Sequence, residues 1–250
     1  MRYIPIEKTE QDMILARSVY DNTGRVLLSC GTVLTDEYID KLYDRGLPGI
    51  YIEDKLAEDI EIEEAISEEL RNEGAEALRN GDVDAAMGVG RRIVDEIIQN
   101  PRVTLDLIDL RSYDDYTYRH SVNVAVISTV IGINMQLNRL ALDELSIAAI
   151  LHDIGKRRID PKIINKKGKL TPEEYTEVKH HSEYGYEMVK SRIDLSAKIK
   201  NAILLHHENE DGSGYPKGLK GNQIFIYAKI IHVADVFDAC LLYTSDAADE

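Results

Sequence analysis

Residues 151–156 read LHDIGK and place a histidine directly beside an aspartate at the end of an apolar helical run, residues 146–151. All seven histidines of the chain lie between positions 120 and 232, and the first 119 residues contain none. Histidines used for packing or solubility would be scattered more evenly, whereas the ligands of a metal site are gathered in one domain. The sequence therefore predicts a metal site centred on LHDIGK. The other elements expected to meet it are His120, His181, the adjacent His206 and His207, the loop 211–216 and Asp235.

Composition excludes several classes of protein. The chain has 250 residues, enough for one large domain or two modest ones with a sizeable core. Its formal net charge of -15 argues against general nucleic-acid binding and against an anionic membrane surface. There is no run of about 18 apolar residues that would predict a membrane span, and the N-terminus lacks the apolar core of a signal peptide. Its two cysteines form no disulfide framework, so we expect a cytoplasmic protein.

The first 54 residues have a strand-like pattern and predict a small α+β module. Residues 13–20 and 25–28 flank a turn that contains Gly24, which is typical of a hairpin. Residues 36–45 have apolar side chains at helical spacing, and residues 50–52 are typical of a closing strand. This stretch contains no group of chemically active residues. Two interpretations are open: a sensory or docking module, and an appendage for packing and homodimerisation.

Residues 55–100 are predicted to form an acidic helical linker. Between positions 53 and 76 the chain has eleven acidic residues against Lys55 and Arg71, with an apolar stripe at positions 60, 62, 66 and 70. This pattern is typical of a solvated helix. Asp82 is expected to cap a second helix, residues 83–98. Such a linker could transmit a signal from the first module.

Residues 101–239 have helical periodicity and predict a bundle of roughly five or more helices, so the expected fold class is mainly α. Asn138 can cap a helix at residues 139–154. Thr171, followed by a proline and by Glu174, has the pattern of a capping box for the helix that carries His181. The remaining helices are expected at residues 118–135, 195–208 and 224–239.

Imidazole and carboxylate groups together suit zinc, iron, manganese or nickel. Side chains of neighbouring helical residues diverge by about 100°. His206 and His207 would therefore ligate two ions, or reach from the end of a helix. By the same argument, His152 can bind one ion while the two oxygens of Asp153 bridge both. The candidate ligands are too many for one tetrahedral zinc and suit two metals about 3.5–4 Å apart, which would activate a bridging water.

The order of the motifs resembles the HD superfamily of metal-dependent phosphohydrolases, and specifically its HD-GYP subfamily. The residues that carry the resemblance are HDIGK at 152–156, NKKGKLTPEE at 165–174, His181 with Gly185, HHENEDGSGYP at 206–216 and VADVFDA at 233–239. An HD pair alone is a weak signal, whereas these elements in this order are a strong one. The resemblance covers residues 115–239. It implies an all-helical cyclic di-GMP phosphodiesterase with two, sometimes three, metal ions.

The resemblance also implies roles for individual residues. Asp153 would bridge the ions, and Lys156 would hold a phosphate oxygen and stabilise the charge that develops on it. The GYP loop would shape the substrate site and contact signalling proteins; its residues are Asp211, Gly214, Tyr215 and Pro216. The implied metal ligands are His120, His152, Asp153, His181, His206, His207 and Asp235.

The number of ions is inferred from the residues upstream of the first histidine. Family members with a third metal use an extra carboxylate there. Asp114 and Asp115 are near, but Tyr116 lies one turn before His120, so two divalent ions are expected. Iron or manganese is the expected metal, and nickel and zinc are compatible with the same ligands.

Residues 156–169 form a basic island in this acidic chain, with seven basic residues against one acid, Asp160. An island of this kind suits an anionic substrate. Lys156, one turn past the histidine-aspartate pair, is expected to act on the substrate, whereas the lysines of 166–169 are expected to be surface residues.

The last eleven residues, 240–250, depart from the family pattern, which calls for an arginine-containing stretch and more helix. They resemble a translated adapter from sequencing-library preparation. We therefore expect a non-biological tail on a gene cut short near Ala239, with a divergent natural tail as the alternative. A foreign tail would leave the substrate site incomplete and impair activity even with all metal ligands present.

The sequence thus predicts a metal-dependent phosphodiesterase that hydrolyses cyclic di-GMP to the linear dinucleotide, to GMP, or to both in bacterial second-messenger signalling. One alternative is a non-catalytic module for cyclic-dinucleotide signalling or protein interaction. The other is an HD phosphohydrolase for a different cyclic dinucleotide. A missing ligand would favour the non-catalytic module, and none of the expected ligands is missing from the sequence.

Overall fold

The structure is a computed structural model that describes residues 1–20, 26–47, 49–54, 65–99, 116–166 and 168–246. The predicted turn at 21–24, the acidic residues of 55–64, Asp114, Asp115 and Lys167 lie outside the described residues. The chain divides into two compact units, one built from residues 1–54 and one from residues 65–99 and 117–246.

The first unit is the predicted small α+β module. Its strands, which pair antiparallel as β1 with β4 and β2 with β3, are β1 (Arg2–Pro5), β2 (Val19–Tyr20), β3 (Val26–Leu28) and β4 (Gly49–Ile52). Helix α1 (Asp36–Asp44) is capped by the Thr35 side chain, which accepts a hydrogen bond from Tyr38 N. Leu15, Leu34 and Leu42 are buried in the core of this unit. Strand β1 was not predicted from the sequence, because so short a stretch shows little alternation.

The second unit is helical, which confirms the mainly α fold class. Its helices, within the part of the chain that the structure describes, are α2 (Glu68–Asn80), α3 (Val83–Gln99), α4 (Tyr116–Asn134), α5 (Arg139–Leu151), α6 (Pro161–Ile164), α7 (Pro172–Lys179), α8 (His181–Val189), α9 (Ala197–Leu205) and α10 (Ile226–Asp246). A 3-10 turn, Ile154–Arg158, follows α5. None of the described helices is long and apolar enough to cross a membrane.

One apolar core holds the helical unit together. Fully buried side chains of α2, α3, α5, α9 and α10 contribute to it, among them Leu70, Ile93, Ile150, Ile203 and Ile231. Each such side chain stabilises the fold by about 1.5–3 kcal/mol. Helices α2 and α3 fall within the predicted linker, yet they share this core with the helices that carry the histidines. The domain limits drawn from the sequence stay predictions.

Capping side chains set the starts of the helices. Asn138 Oδ1 accepts from Ala141 N at the start of α5, and Thr171 with Glu174 forms the predicted capping box of α7. The ends differ from the prediction. Helix α7 ends at Lys179, so the prediction that it carries His181 is wrong: the backbone turns at the intervening residue, and His181 opens a separate helix, α8.

Two glycines let the turn after LHD pack directly against α8. A Cβ on Gly155 would lie 1.9 Å from His181 O and 2.4 Å from Gly185 N, closer than side chains can approach. A Cβ on Gly185 would already press on Ile203 at 3.1 Å. Because the two backbones touch here, His181 is brought next to Asp153.

Candidate metal centre

The seven residues predicted as metal ligands lie together inside the helical unit. They form two groups, and within each group one ligand atom per residue lies within 4.8 Å of the others. The first group is Asp153, His181, His206 and His207, and the second is His120, His152 and Asp235. The structure thus gathers these side chains, and their role as ligands stays a prediction.

Helices and helix ends present these side chains. His120 lies in α4 and Asp235 in α10. His152 is the C-cap of α5, and His206 is the C-cap of α9, with His207 directly after it. Because α9 has ended, helical geometry does not force the adjacent histidines apart, and their ring centroids are 4.2 Å apart. Of the two arrangements expected from the sequence, the pair adopts the one that reaches from a helix end.

Asp153 stands between the two groups. Its Oδ1 lies 3.2 Å from His181 Nε2 in the first group. Its Oδ2 lies 3.4 Å from His152 Nε2 and 3.9 Å from His120 Nε2 in the second group. The carboxylate therefore turns one oxygen toward each group, as a bridging ligand must.

Backbone carbonyls fix the orientation of three imidazoles. Each ring donates its Nδ1 proton to the carbonyl three residues earlier: His152 to Ala149 O at 2.6 Å, His181 to Val178 O at 2.7 Å and His206 to Ile203 O at 2.8 Å. A carbonyl oxygen only accepts, so the proton of each neutral ring is on Nδ1 and the lone pair is on Nε2. A hydrogen bond of this kind is the usual partner of a metal-ligating histidine.

The donor set fits divalent cations. His181 Nε2 lies 3.1 Å from both His206 Nε2 and His207 Nε2. Since Nδ1 carries the proton in His181 and His206, two lone pairs face each other, and a bound cation would remove their repulsion. His152 Nε2 and Asp153 Oδ1 are buried without a hydrogen-bond partner among the described residues. Unpartnered buried polar atoms are costly, and coordination to a metal would satisfy both.

The first group is deprotonated at neutral pH. Burial, followed by the charges of neighbouring imidazoles, lowers the pKa of His206 well below its usual range and lowers the pKa of His207 to about 3. Burial also lowers the pKa of His181. Burial raises the pKa of Asp153, but Lys156 and the nearby imidazoles outweigh it, so this pKa lies well below its usual range. Metal ligands must be deprotonated, and this group meets that condition.

His120 is held differently, between two carboxylates. Its Nε2 lies 2.9 Å from Asp235 Oδ1, and its Nδ1 donates to Asp238 Oδ2 at 2.7 Å. Burial lowers the pKa of His120, but the two carboxylates together raise it to about 9. Burial raises the pKa of Asp235, but the hydrogen bond from His120 outweighs it and brings this pKa to about 2. A cation in the second group would take the place of the Nε2 proton of His120.

Lys156 lies beside the carboxylate that joins the groups. Its Nζ is 2.5 Å from Asp153 Oδ2, and its side chain is partly exposed. Other members of the basic island have structural partners. Arg157 Nη1 donates to backbone carbonyls at the end of α2, and Lys166 Nζ lies 2.5 Å from Glu174 Oε2 at the surface. Among the described residues of the island, Lys156 therefore has a contact with the candidate centre that the structure shows directly.

The loop 211–216 places an aromatic ring against the first group. The Tyr215 ring stacks on His207, with centroids 4.7 Å apart and planes at 26°. Tyr215 N donates to His207 O at 3.1 Å, which ties the loop to the end of α9. Lys179 Nζ lies 5.9 Å from the centroid of the same ring. Tyr215 is half-buried, so part of its side chain remains accessible to solvent.

The other predicted loop residues have structural contacts. A Cβ on Gly214 would lie 2.3 Å from Asn209 N, so only glycine fits at this position. The peptide that joins Tyr215 to Pro216 is cis. Asp211 lies at the surface, where its Oδ1 accepts from Ser213 N at 2.9 Å and from Ser213 Oγ at 2.7 Å. Asp211 thus shapes the turn, and its predicted substrate contact stays a prediction.

The sequence analysis did not identify several buried residues that hold the candidate ligands and the neighbouring loop in place. Glu208 is buried, and its two oxygens accept from Lys217 N at 2.7 Å and from Leu219 N at 2.8 Å, which fixes the loop after the histidine pair. Asp238 orients His120, and Asn123 Nδ2 donates to Asp238 Oδ1 at 3.1 Å. Charged side chains directly after HH and inside VADVFDA were the available signal.

The two remaining histidines, His180 and His232, lie outside both groups. His180 is partly exposed, and its Nδ1 lies 2.7 Å from Glu183 Oε2. His232 Nδ1 donates to His206 O at 2.8 Å. His232 therefore holds the backbone of a candidate ligand.

Comparison with known proteins identifies relatives of this chain. Cyclic di-GMP phosphodiesterase PA4108 of Pseudomonas aeruginosa is 38% identical over 151 residues, which are 59% of this chain and 36% of that protein. The cyclic di-GMP phosphodiesterase of Thermotoga maritima is 40% identical over 141 residues, 54% of this chain and 38% of that protein. The 3'3'-cGAMP-specific phosphodiesterase 3 of Vibrio cholerae is 35% identical over 133 residues, 53% of this chain and 28% of that protein. The matched stretch thus covers only between 28% and 38% of the length of these three relatives.

The fold has a counterpart among solved structures. Bd1817, an HDG"Y"P protein from Bdellovibrio bacteriovorus, superposes with a TM-score of 0.59 at 20% identity, covering 95% of this chain and 87% of that one. At this identity the likeness concerns the fold alone. A family model described as HD domain matches residues 102–248, more than half of the chain. The chain therefore belongs to the HD domain family.

Proposed function

We propose that this chain is a metal-dependent phosphodiesterase that hydrolyses a cyclic dinucleotide, with cyclic di-GMP as the first candidate substrate. The observation that carries the proposal is the position of Asp153, which turns one oxygen toward each of two groups of buried histidines and aspartates. Two groups joined by one carboxylate suit two divalent ions. When bound, such ions polarise the phosphate and lower the pKa of water at the site.

The surrounding residues suit an anionic substrate that contains bases. Lys156 carries a positive charge beside Asp153, where it would hold a phosphate oxygen and stabilise charge that develops there. Tyr215 offers an aromatic surface next to His207, on which a purine base would stack. The basic island around Lys156 is the part of this acidic chain that would attract a phosphodiester.

The names of the relatives support the choice of substrate. Two of them, 38% and 40% identical, are named cyclic di-GMP phosphodiesterases. A third, 35% identical, is named a 3'3'-cGAMP-specific phosphodiesterase, which makes this dinucleotide the second candidate. Either substrate would give a linear dinucleotide, mononucleotides, or both.

The proposal also covers the metal ions, the substrate contacts, the partners and the location of the protein. We infer two ions per chain, iron or manganese, with nickel and zinc compatible with the same ligands. The substrate contacts of Asp211, Gly214, Tyr215 and Pro216 belong to the proposal, as do a signalling-protein contact through the GYP loop, homodimerisation and a cytoplasmic location.

The test is anaerobic turnover of cyclic di-GMP and of 3'3'-cGAMP by the full chain, with metal content determined on the same sample. We expect about two ions per chain. Asp153→Asn should lower turnover by more than about 100-fold, since changing even a partner of a metal ligand typically costs 10- to 100-fold. The control is Glu183→Gln, which alters an exposed carboxylate of α8 and should leave turnover and metal content unchanged.

Each outcome decides one part of the proposal. Two ions without turnover of either dinucleotide would replace the enzyme with a binding or signalling module. Turnover of 3'3'-cGAMP alone would correct the substrate. No bound ion would show that the ligand assignment is wrong.

A further inference from the structure

A chain of buried hydrogen bonds runs from α2 to the candidate ligand His120. Arg71 Nη1 donates to Asn123 Oδ1 at 2.6 Å. Asn123 Nδ2 donates to Asp238 Oδ1 at 3.1 Å, and His120 Nδ1 donates to Asp238 Oδ2 at 2.7 Å. All four side chains are at least 95% buried, with Arg71 at 4% relative exposure and Asp238 at 1%.

Arg71 determines which atom donates and which accepts in each of these hydrogen bonds. A guanidinium only donates, so it must face the oxygen of the Asn123 amide. The nitrogen of that amide then points the other way and donates to Asp238. Asp238, held through one oxygen by Asn123, accepts from His120 Nδ1 with the other. The Nε2 of His120 is thereby aimed at Asp235 and Asp153.

The burial of Arg71 is not explained by packing. A buried charge is costly, and apolar residues of similar volume are often as stabilising as a buried ion pair. Leucine or methionine would fill this position in α2, whose neighbouring residues Leu70 and Leu78 are apolar and buried. The guanidinium instead makes polar contacts with Glu68 and with Asn123, and the contact with Asn123 is the one that leads toward His120.

We propose that Arg71 and Asn123 are positioning residues for the second metal group, because they fix the orientation in which Asp238 holds His120. This inference rests on the metal site of the proposed function. Arg71 lies in the segment that the sequence assigns to the linker, so a residue outside the HD motifs governs the orientation of a metal ligand.

Arg119 provides a matched control. Its Nη2 lies 2.9 Å from Glu68 Oε1 and 2.6 Å from Asn72 Oδ1, so it also joins α4 to α2. Arg71 Nε pairs with the same Glu68, at 3.4 Å. Both arginines therefore link the same two helices, but the contacts of Arg119 are with α2 and those of Arg71 continue toward His120.

The test is a titration of each apoprotein with Mn²⁺ against a competing chelator, together with the visible absorption spectrum of the Co²⁺-loaded forms. In Arg71→Met we expect one of the two ions to bind about 10-fold more weakly and the Co²⁺ spectrum to change, as for other partners of metal ligands. In Arg119→Met we expect both ions to bind as in the wild type. Thermal unfolding of the apoproteins should show a similar loss of stability for the two variants.

A second variant covers the case in which Arg71→Met does not fold. Asn123→Asp keeps the side-chain volume and the oxygen that accepts from Arg71, but it replaces the nitrogen that donates to Asp238 by an oxygen. We expect this variant to bind the same ion more weakly. Normal binding of both ions by Arg71→Met, or by Asn123→Asp if the former is unfolded, overturns the inference. A wild type that binds no ion overturns the proposed function itself and the inference with it.

Discussion

Three candidate ligands each make the same kind of hydrogen bond, which the sequence did not predict. His152, His181 and His206 each donate Nδ1 to a carbonyl in the last turn of α5, α7 or α9. Regular backbone pairing ends in the last turn of a helix, so a side-chain donor can serve these carbonyls. The sequence pattern indicated which histidines would meet. It placed them inside longer helices, and so it could not predict which ring nitrogen would face the site.

The two groups should respond differently to pH. Protons compete with a metal only below the pKa of its ligands. Burial lowers the pKa of His207 to about 3, whereas Asp235 and Asp238 outweigh burial and raise the pKa of His120 to about 9. Between about pH 7 and 8.5 we expect the affinity of the first group for metal to stay constant and that of the second to rise about tenfold per pH unit, with one proton released from His120.

Calorimetric titration of the apoprotein with Mn²⁺ in buffers of different ionisation enthalpy measures this release. The matched variant His120→Gln should lose the ion whose binding releases the proton and keep the other unchanged. Two ions with the same pH dependence would contradict the assignment of the two groups.

At the scale of elements, the turn Ile154–Arg158 packs so closely against α8 that Gly155 leaves no room for a side chain. In Gly155→Ala the new Cβ would meet His181 O at 1.9 Å, so α8 must move and carry His181 away from Asp153. Overpacking of this kind costs about 1–3 kcal/mol. We expect a lower free energy of unfolding and a loss of metal from the first group, measured by denaturant unfolding and metal analysis.

The control for this prediction is Gly88→Ala in α3, where a Cβ would meet no atom within 4 Å. Alanine in the interior of a helix is about 0.5–1 kcal/mol more favourable than glycine, so this variant should be slightly more stable and keep its metal. If Gly155→Ala matched Gly88→Ala in stability, the close approach of the two backbones would be refuted.

Helix starts were easier to predict than helix ends. The starts depend on local capping: Asp82 Oδ1 accepts from Ala85 N, and Thr171 Oγ1 accepts from Glu174 N, as the sequence indicated. The turns that follow α5 and α7 meet where Gly155 packs against His181 O, and a tertiary contact of this kind leaves no local signal in the sequence. From the sequence, Arg71 was predicted to lie on a solvated acidic helix. Its burial could not be predicted, because its partner Asn123 comes from a helix about fifty residues away in the chain.

At the scale of the whole molecule, the candidate centre joins parts of the chain that only folding brings together. Its side chains come from α4, the end of α5, α8, the end of α9 and α10. The order of motifs predicted that these segments would meet, but the division into two groups around Asp153 required the packing of the apolar core. An unfolded chain therefore offers no preformed site.

Metal binding should consequently stabilise the native state of the helical unit. At a free metal concentration of about 100 times Kd, the gain is about 2.7 kcal/mol per ion. For a chain of this size 1 kcal/mol corresponds to about 2–4 °C, so a chelator should lower Tm by about 5–10 °C for each ion that it removes. Circular dichroism of the helical signal measures the shift. Asp153→Asn, which removes the carboxylate between the groups, should unfold at nearly the same temperature with and without chelator, and a full shift in this variant would mean that the stabilising ions bind elsewhere.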